Sequence, residues 1–157
     1  MKFMMNGAIT IGTLDGANVE ILEAVGEDNF FLFGLTVDEI ADLRQDYDPR
    51  SFIDADEDFT RVMRLLDNGH FNRFEPNVLD EVLAAVRDPE DPWMTAADFR
   101  SFVDAQEAAG VAYQDQARWI RMSILNSAAS GRFSTDRTMR DYNEDIWHLE
   151  AVSIGTP

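Results

Sequence analysis

The chain has 157 residues, 45% of them apolar and 11% aromatic, which is enough for one ordinary domain with its own core and excludes a compositionally disordered segment. Its net charge of −17 repels nucleic-acid phosphates and anionic membrane surfaces, so neither is expected as a partner. The absence of cysteine excludes disulfides and thiol catalysis and fits a reducing compartment, expected to be the cytoplasm.

The stretch from Met1 to Glu20 organises the chain. Lys2 is the one lysine, and the other twelve basic residues are arginines. An ammonium group can lose its proton and become a nucleophilic amine, whereas a guanidinium stays charged. Lys2 is therefore the one side chain able to form a Schiff base with a carbonyl compound, the Met1 α-amino group being the other primary amine. Met1, Phe3, Met4 and Met5 give Lys2 an apolar flank, and burial among them would disfavour its charged form. The plainer reading is a solvated charge near a terminus. Asn6-Gly7 is a turn signal that interrupts the apolar run too early for a signal peptide, and no stretch approaches the ~20 apolar residues of a membrane span. Ala8 to Ile11 reads as a short β-type run. Gly7, Gly12 and Gly16 are spaced too widely for a dinucleotide fingerprint, and no phosphate-loop lysine follows them.

Residues 17–25 predict a helix stopped by Gly26, with Asp15 near its start as a cap or, given its closeness to Lys2, a site residue. Asn29 to Gly34 predicts a strand buried on both faces, and Thr36 with Glu39 forms a capping-box pattern opening the next helix. This helix, strand, helix order is the rhythm of a doubly wound α/β sheet. Asp46 to Asp58 reads as a solvated acidic link punctuated by Pro49. Its alternating Asp54, Asp56 and Asp58 lack the glycine and closing glutamate of a calcium loop. Phe59, Val62, Met63 and Leu66 form a helical stripe ended by Asn68-Gly69, and Leu79, Val82, Leu83 and Val86 form another.

His70 and His148 share no acid or thiol motif and read as structural or surface residues. Asp88 to Pro92 reads as a rigid acidic turn, and Trp93 to Phe99 as a piece that includes a short strand or extended segment. Arg100 to Ser130 predicts helix interrupted near Gly110, with Phe102, Val103 and Ala105 inward in its first part and Trp119, Ile120, Ile124 and Leu125 in its second. Gly131 is the expected stop. Ser134 opens a terminal helix over residues 134–149, with Met139, Tyr142, Ile146 and Leu149 on one face, and Val152 to Pro157 reads as a tail.

Three stretches carry a family resemblance. MKFMMNGAITIGTLDGANVEI closely resembles the pyridoxal-phosphate lysine segment of the α-1,4-glucan phosphorylases (glycogen, starch and maltodextrin phosphorylase). AASGRFSTDRTMRDYNEDIW resembles that family's closing motif, with Arg132 where lysine is usual, and ADFRSFVDAQ at residues 97–106 is also similar. Residues 44–92 are looser, and Pro89-Glu90 departs from the pattern. One motif at the start, one at the end and the same order between them make the resemblance specific.

The resemblance implies an α/β fold, the C-terminal part of a glycosyltransferase-B (Rossmann-like) domain, mostly helical with a few short parallel strands. Residues 1–157 would be the later portion of the cofactor-binding domain, the other domain and the Glu-Ala-Ser-Gly-like phosphate cradle lying upstream. It implies phosphorolysis of terminal α-1,4-linked glucose from glycogen or a related glucan by inorganic phosphate, releasing glucose 1-phosphate, in a longer and homodimeric enzyme. Lys2 would anchor pyridoxal 5′-phosphate, whose own phosphate takes part in proton transfer; Lys2 is then neither acid nor base, and no catalytic residue or metal ligand is expected in this stretch. The chain alone is expected to be inactive. A reading of another class is a stand-alone remnant acting as a non-catalytic acidic interaction domain.

Overall fold

A computed structural model describes residues 1–150. After a single helical turn, α1 (Lys2–Met5), the chain enters β1 (Ile11–Gly12), crosses through α2 (Ala17–Val25) and a 3₁₀ turn, and returns as β2 (Phe31–Leu32), parallel to β1 with Ile11 opposite Phe31. Phe31 N–H donates to Thr10 O at 2.9 Å and Phe33 N–H to Gly12 O at 3.1 Å, which extends the pairing beyond the strands' formal ends. This is a parallel strand–helix–strand unit, and with the helices that follow it makes the chain a mostly helical α/β structure, as the resemblance implied.

Alternation decides how the sheet is covered. Phe31 turns toward Ala105, Ala109 and Ala112 of α7 (Thr95–Gln114) and Met122 of α8 (Gln116–Ala129), while Phe30 turns toward Met4, Ile21 and Val25. The alanines recur at i, i+4 and i+7, so one face of α7 has no bulk and its backbone can approach the sheet closely. Leu32 is 49% exposed, so the expected strand buried on both faces is realised only in part: no described layer covers that side chain.

A second, helical core gathers Tyr47, Ile53, Phe59, Met63, Leu83, Met94 and Ala96. Here the acidic link of the sequence reading is corrected. Residues 49–55 form α4 (Pro49–Ala55), because Asp48 accepts the Arg50 amide as N-cap and Pro49 occupies the first helical position, where its missing N–H costs nothing. Asp56 in turn caps α5 (Glu57–Asp67) by accepting the Phe59 amide at 2.9 Å. The capping box on α3 (Val37–Leu43) forms as expected, and the second apolar stripe forms α6 (Asp80–Val86).

Five further expectations change. Trp93 to Phe99 is not extended: α7 begins at Thr95. The interruption near Gly110 falls instead at Asp115, which leaves helical geometry and caps α8 through the Arg118 amide. On α8 the inward residues are Met122 and Asn126, while Ile120 and Ile124 face solvent. Gly131 lies within a 3₁₀ turn, Ser130–Phe133, and is not a left-handed stop. Ser134 caps α9 (Thr135–Tyr142), which passes into a π-helical turn at Asn143–Trp147, so the terminal helix is shorter than 134–149. Asn143 closes that turn by bonding both backbone groups of Leu149. The tail predicted at Val152 to Pro157 lies outside the described residues.

Candidate functional site

Lys2 opens α1 and its side chain is exposed. Its apolar flank is no pocket: Phe3 and Met5 also face solvent, and only Met4 is buried, at 2% exposure. Among the described residues the Lys2 ammonium forms no ion pair, while its carbonyl accepts Asn6 Nδ2 at 2.8 Å. Gly7, at φ +80°, ends the turn and sends the chain into the sheet. The amine therefore stands on a short turn directly before the first strand, accessible to a carbonyl ligand.

Next to it, an open groove of about 570 Å³ is lined by Met1, Ala17, Glu20, Arg132, Arg137 and Tyr142, among others. Its arginines are already engaged. Arg132 pairs with Glu23 at 2.8 Å, and Arg137 donates to Arg132 O at 2.7 Å and pairs with Asp141. The chemistry present fits the covalent end of an aldehyde cofactor, at Lys2; for a cofactor's phosphate this groove offers no unengaged guanidinium.

A second concavity, about 420 Å³, lies at the carboxyl ends of β1 and β2, between Thr13, Asp15, Leu35, Arg44, Trp93 and Asp98. Asp15 faces this hollow and does not cap α2, whose N-cap is Gly16 with no side-chain bond, so the capping expectation fails. Asp98 Oδ1 accepts the Leu35 amide at 3.0 Å, and the Ser101 hydroxyl oxygen accepts that of Gly34. Burial pushes the Asp98 carboxyl above the usual aspartate range, opposed by the Leu35 bond. Asp91 goes the other way: burial raises it, but the Thr95 and Trp93 amides, the Thr95 side chain and Arg44 together hold it below the usual range.

Sequence reading did not find Asp91, Asp98 or Tyr47: Asp98 and Tyr47 meet partners from distant stretches, whereas Asp91 accepts the nearby Trp93 and Thr95 amides, so the signal near at hand was that acid followed by two amides at the start of α7. His70 packs edge-on against Phe71 and His148 closes the π turn, so they stay apart. No cluster of metal-ligating residues exists among the described residues, and no described helix is long and apolar enough to cross a membrane.

The strand–helix–strand unit, with an exposed lysine on the turn entering it, defines a Rossmann-like α/β chain bearing a candidate amine site. The chain belongs to the carbohydrate phosphorylase family, whose model matches residues 1–149. It is 47% identical to a glycogen phosphorylase of Synechocystis over 98% of its length, 46% identical to the α-1,4 glucan phosphorylase L-1 isozyme, chloroplastic/amyloplastic, of Solanum tuberosum, also over 98%, and 38% identical to a glycogen phosphorylase of Chlamydia pneumoniae over the same share. It spans 18%, 16% and 19% of those relatives, respectively.

Proposed function

We propose that this sequence is the cofactor-anchoring part of a glucan phosphorylase, acting within a longer chain in which Lys2 is the covalent tether for pyridoxal 5′-phosphate. The observation that carries the reading is the family match over residues 1–149 together with a side-chain amine at its start that is exposed and, among the described residues, in no ion pair. When bound, that group supplies a phosphate able to exchange protons with inorganic phosphate. Residues of this chain would hold it: Lys2 would bond it covalently, and α1 would set where the amine stands.

The longer chain would cleave terminal α-1,4-linked glucose from a glucan with inorganic phosphate, as a homodimer. The cytoplasm is the compartment we propose, although the Solanum relative's name places that protein in plastids. The 157-residue chain, with both arginines of the groove beside Lys2 already engaged, would be inactive alone.

Borohydride reduction of the longer chain loaded with pyridoxal phosphate, followed by peptide mapping, tests the tether. A pyridoxyl adduct on Lys2 is expected, with loss of both adduct and phosphorolysis in Lys2→Met. Full cofactor content and turnover in that variant would overturn the assignment.

A further inference from the structure

A single helical turn cannot hold its own conformation, because nucleation costs more than its few hydrogen bonds return. The direction of α1, and so of Lys2, must be imposed from outside. Two places on α8 impose it. A Cβ built on Gly7 would lie 2.3 Å from Ser123 Oγ and 3.6 Å from both Ser123 Cβ and Ser127 Oγ, so the Ser123 hydroxyl fills the space a side chain at residue 7 would need. One turn further along α8, Ser127 Oγ faces the Met4 carbonyl at 3.4 Å, a long contact whose neighbour, the Met4 side chain, is locked among Ile21, Val25 and Phe30. Lys2 is joined to this seat through its carbonyl, held by Asn6 immediately before Gly7.

We infer that Gly7, Ser123 and Ser127 form a seat for α1 that sets where the Lys2 amine points: Ser123 fills the space that residue 7 must leave empty, and Gly7 and Ser127 are the positioning residues for attachment of an aldehyde cofactor. The inference rests on the tether reading of Lys2. It predicts a specific coupling. Gly7→Ala drives a methyl into the Ser123 hydroxyl. Ser123→Ala removes that oxygen and leaves the residue-123 Cβ at 3.6 Å, an ordinary contact. The double variant therefore recovers what the clash costs, less the residual strain of alanine at φ +80°. Contacting residues couple in this way and distant ones do not.

The test has two arms. In the 157-residue chain, amide hydrogen exchange is followed for residues 3–8 in wild type, Gly7→Ala, Ser123→Ala, Ser127→Ala and the Gly7→Ala/Ser123→Ala double variant. In the longer chain, release of bound pyridoxal phosphate and its visible absorption band are followed for the same variants. Gly7→Ala is expected to speed exchange and cofactor release by about tenfold, Ser127→Ala by less, and Ser123→Ala hardly at all, while the double variant returns most of the way. A double variant no better than Gly7→Ala in the exchange arm overturns the seat. Recovery there, with cofactor release and spectrum unchanged in every variant, overturns the positioning role and leaves the tether intact. A wild-type longer chain with no pyridoxyl adduct on Lys2 overturns the tether reading, and the exchange arm still decides the seat.

Discussion

Tyr47 is 7% exposed, and its hydroxyl oxygen accepts the Ala96 amide at 3.3 Å. That amide belongs to the first turn of α7, where a helix leaves its donors without internal partners. Tyr47→Phe keeps the ring against Phe52 but strands a buried N–H, so a loss of about 1–3 kcal/mol is expected. Urea unfolding at constant m-value measures it. An unchanged midpoint would mean that water reaches Ala96. The two aspartates around this turn titrate in opposite directions. Asp98 binds its proton more tightly in the folded chain than in the unfolded one, so between the ordinary aspartate value and its raised value the folded state carries more protons. Stability therefore falls as pH rises through that window and stays lower above it. Asp91, held low, contributes stability above the ordinary aspartate value that is lost as pH falls through its own. Asp98→Asn keeps an oxygen for the Leu35 amide and removes the half-buried charge. Its melting temperature should exceed that of the wild type near neutral pH, with the gap closing toward about pH 4. Thermal melts across pH measure this; a gap of constant size would assign the gain to something other than titration.

The helices differ in how locally they are determined. Thr36 and Glu39 fix the start of α3 within a few residues, and Ser134 does the same for α9, so both starts were legible in the sequence. The start of α7 was not, because Asp91 caps it from the preceding turn and Tyr47 from across the chain. The break before α8 was misplaced for a related reason. Gly110 is a weak helix former, but it sits on an exposed stretch of a 20-residue helix held by its alanine face, and packing outweighs one glycine. A Cβ at Gly110 would meet nothing within 4 Å, and its φ is not positive. Gly110→Ala should therefore stabilise the chain by about 0.5–1 kcal/mol, measured by the same urea titration. Destabilisation would mean that the helix bends there for a reason the static packing hides. At the site, Lys2 was legible because its chemistry is compositional: a chain with one lysine has one side-chain amine. Its seat was not, since Ser123 and Ser127 lie far along the chain and look like ordinary polar helix residues until the fold sets them against Gly7 and Met4.

At the scale of the whole molecule, two features oppose each other. Ile120 and Ile124, one turn apart on α8, are 55% and 61% exposed, and Val111 on α7 is 67% exposed. The expectation that α8 turns its isoleucines inward failed because the inner face is taken by Met122 and Asn126, the latter spanning to the Asn29 carbonyl. Exposed apolar side chains in neighbouring turns favour association, since each buried Å² returns roughly 25 cal/mol. A net charge of −17 opposes it by repulsion between copies. Repulsion is screened by salt, with a Debye length falling from about 30 Å at 0.01 M to about 3 Å at 1 M, whereas apolar attraction is not weakened in this way. The isolated chain should therefore be monomeric at low ionic strength and associate as salt is raised, and Ile120→Gln/Ile124→Gln should shift the onset to higher salt. Sedimentation velocity across a salt series reads both effects. Association that falls with salt would place the contact in charged groups, and association unchanged by the double substitution would place it elsewhere on the surface.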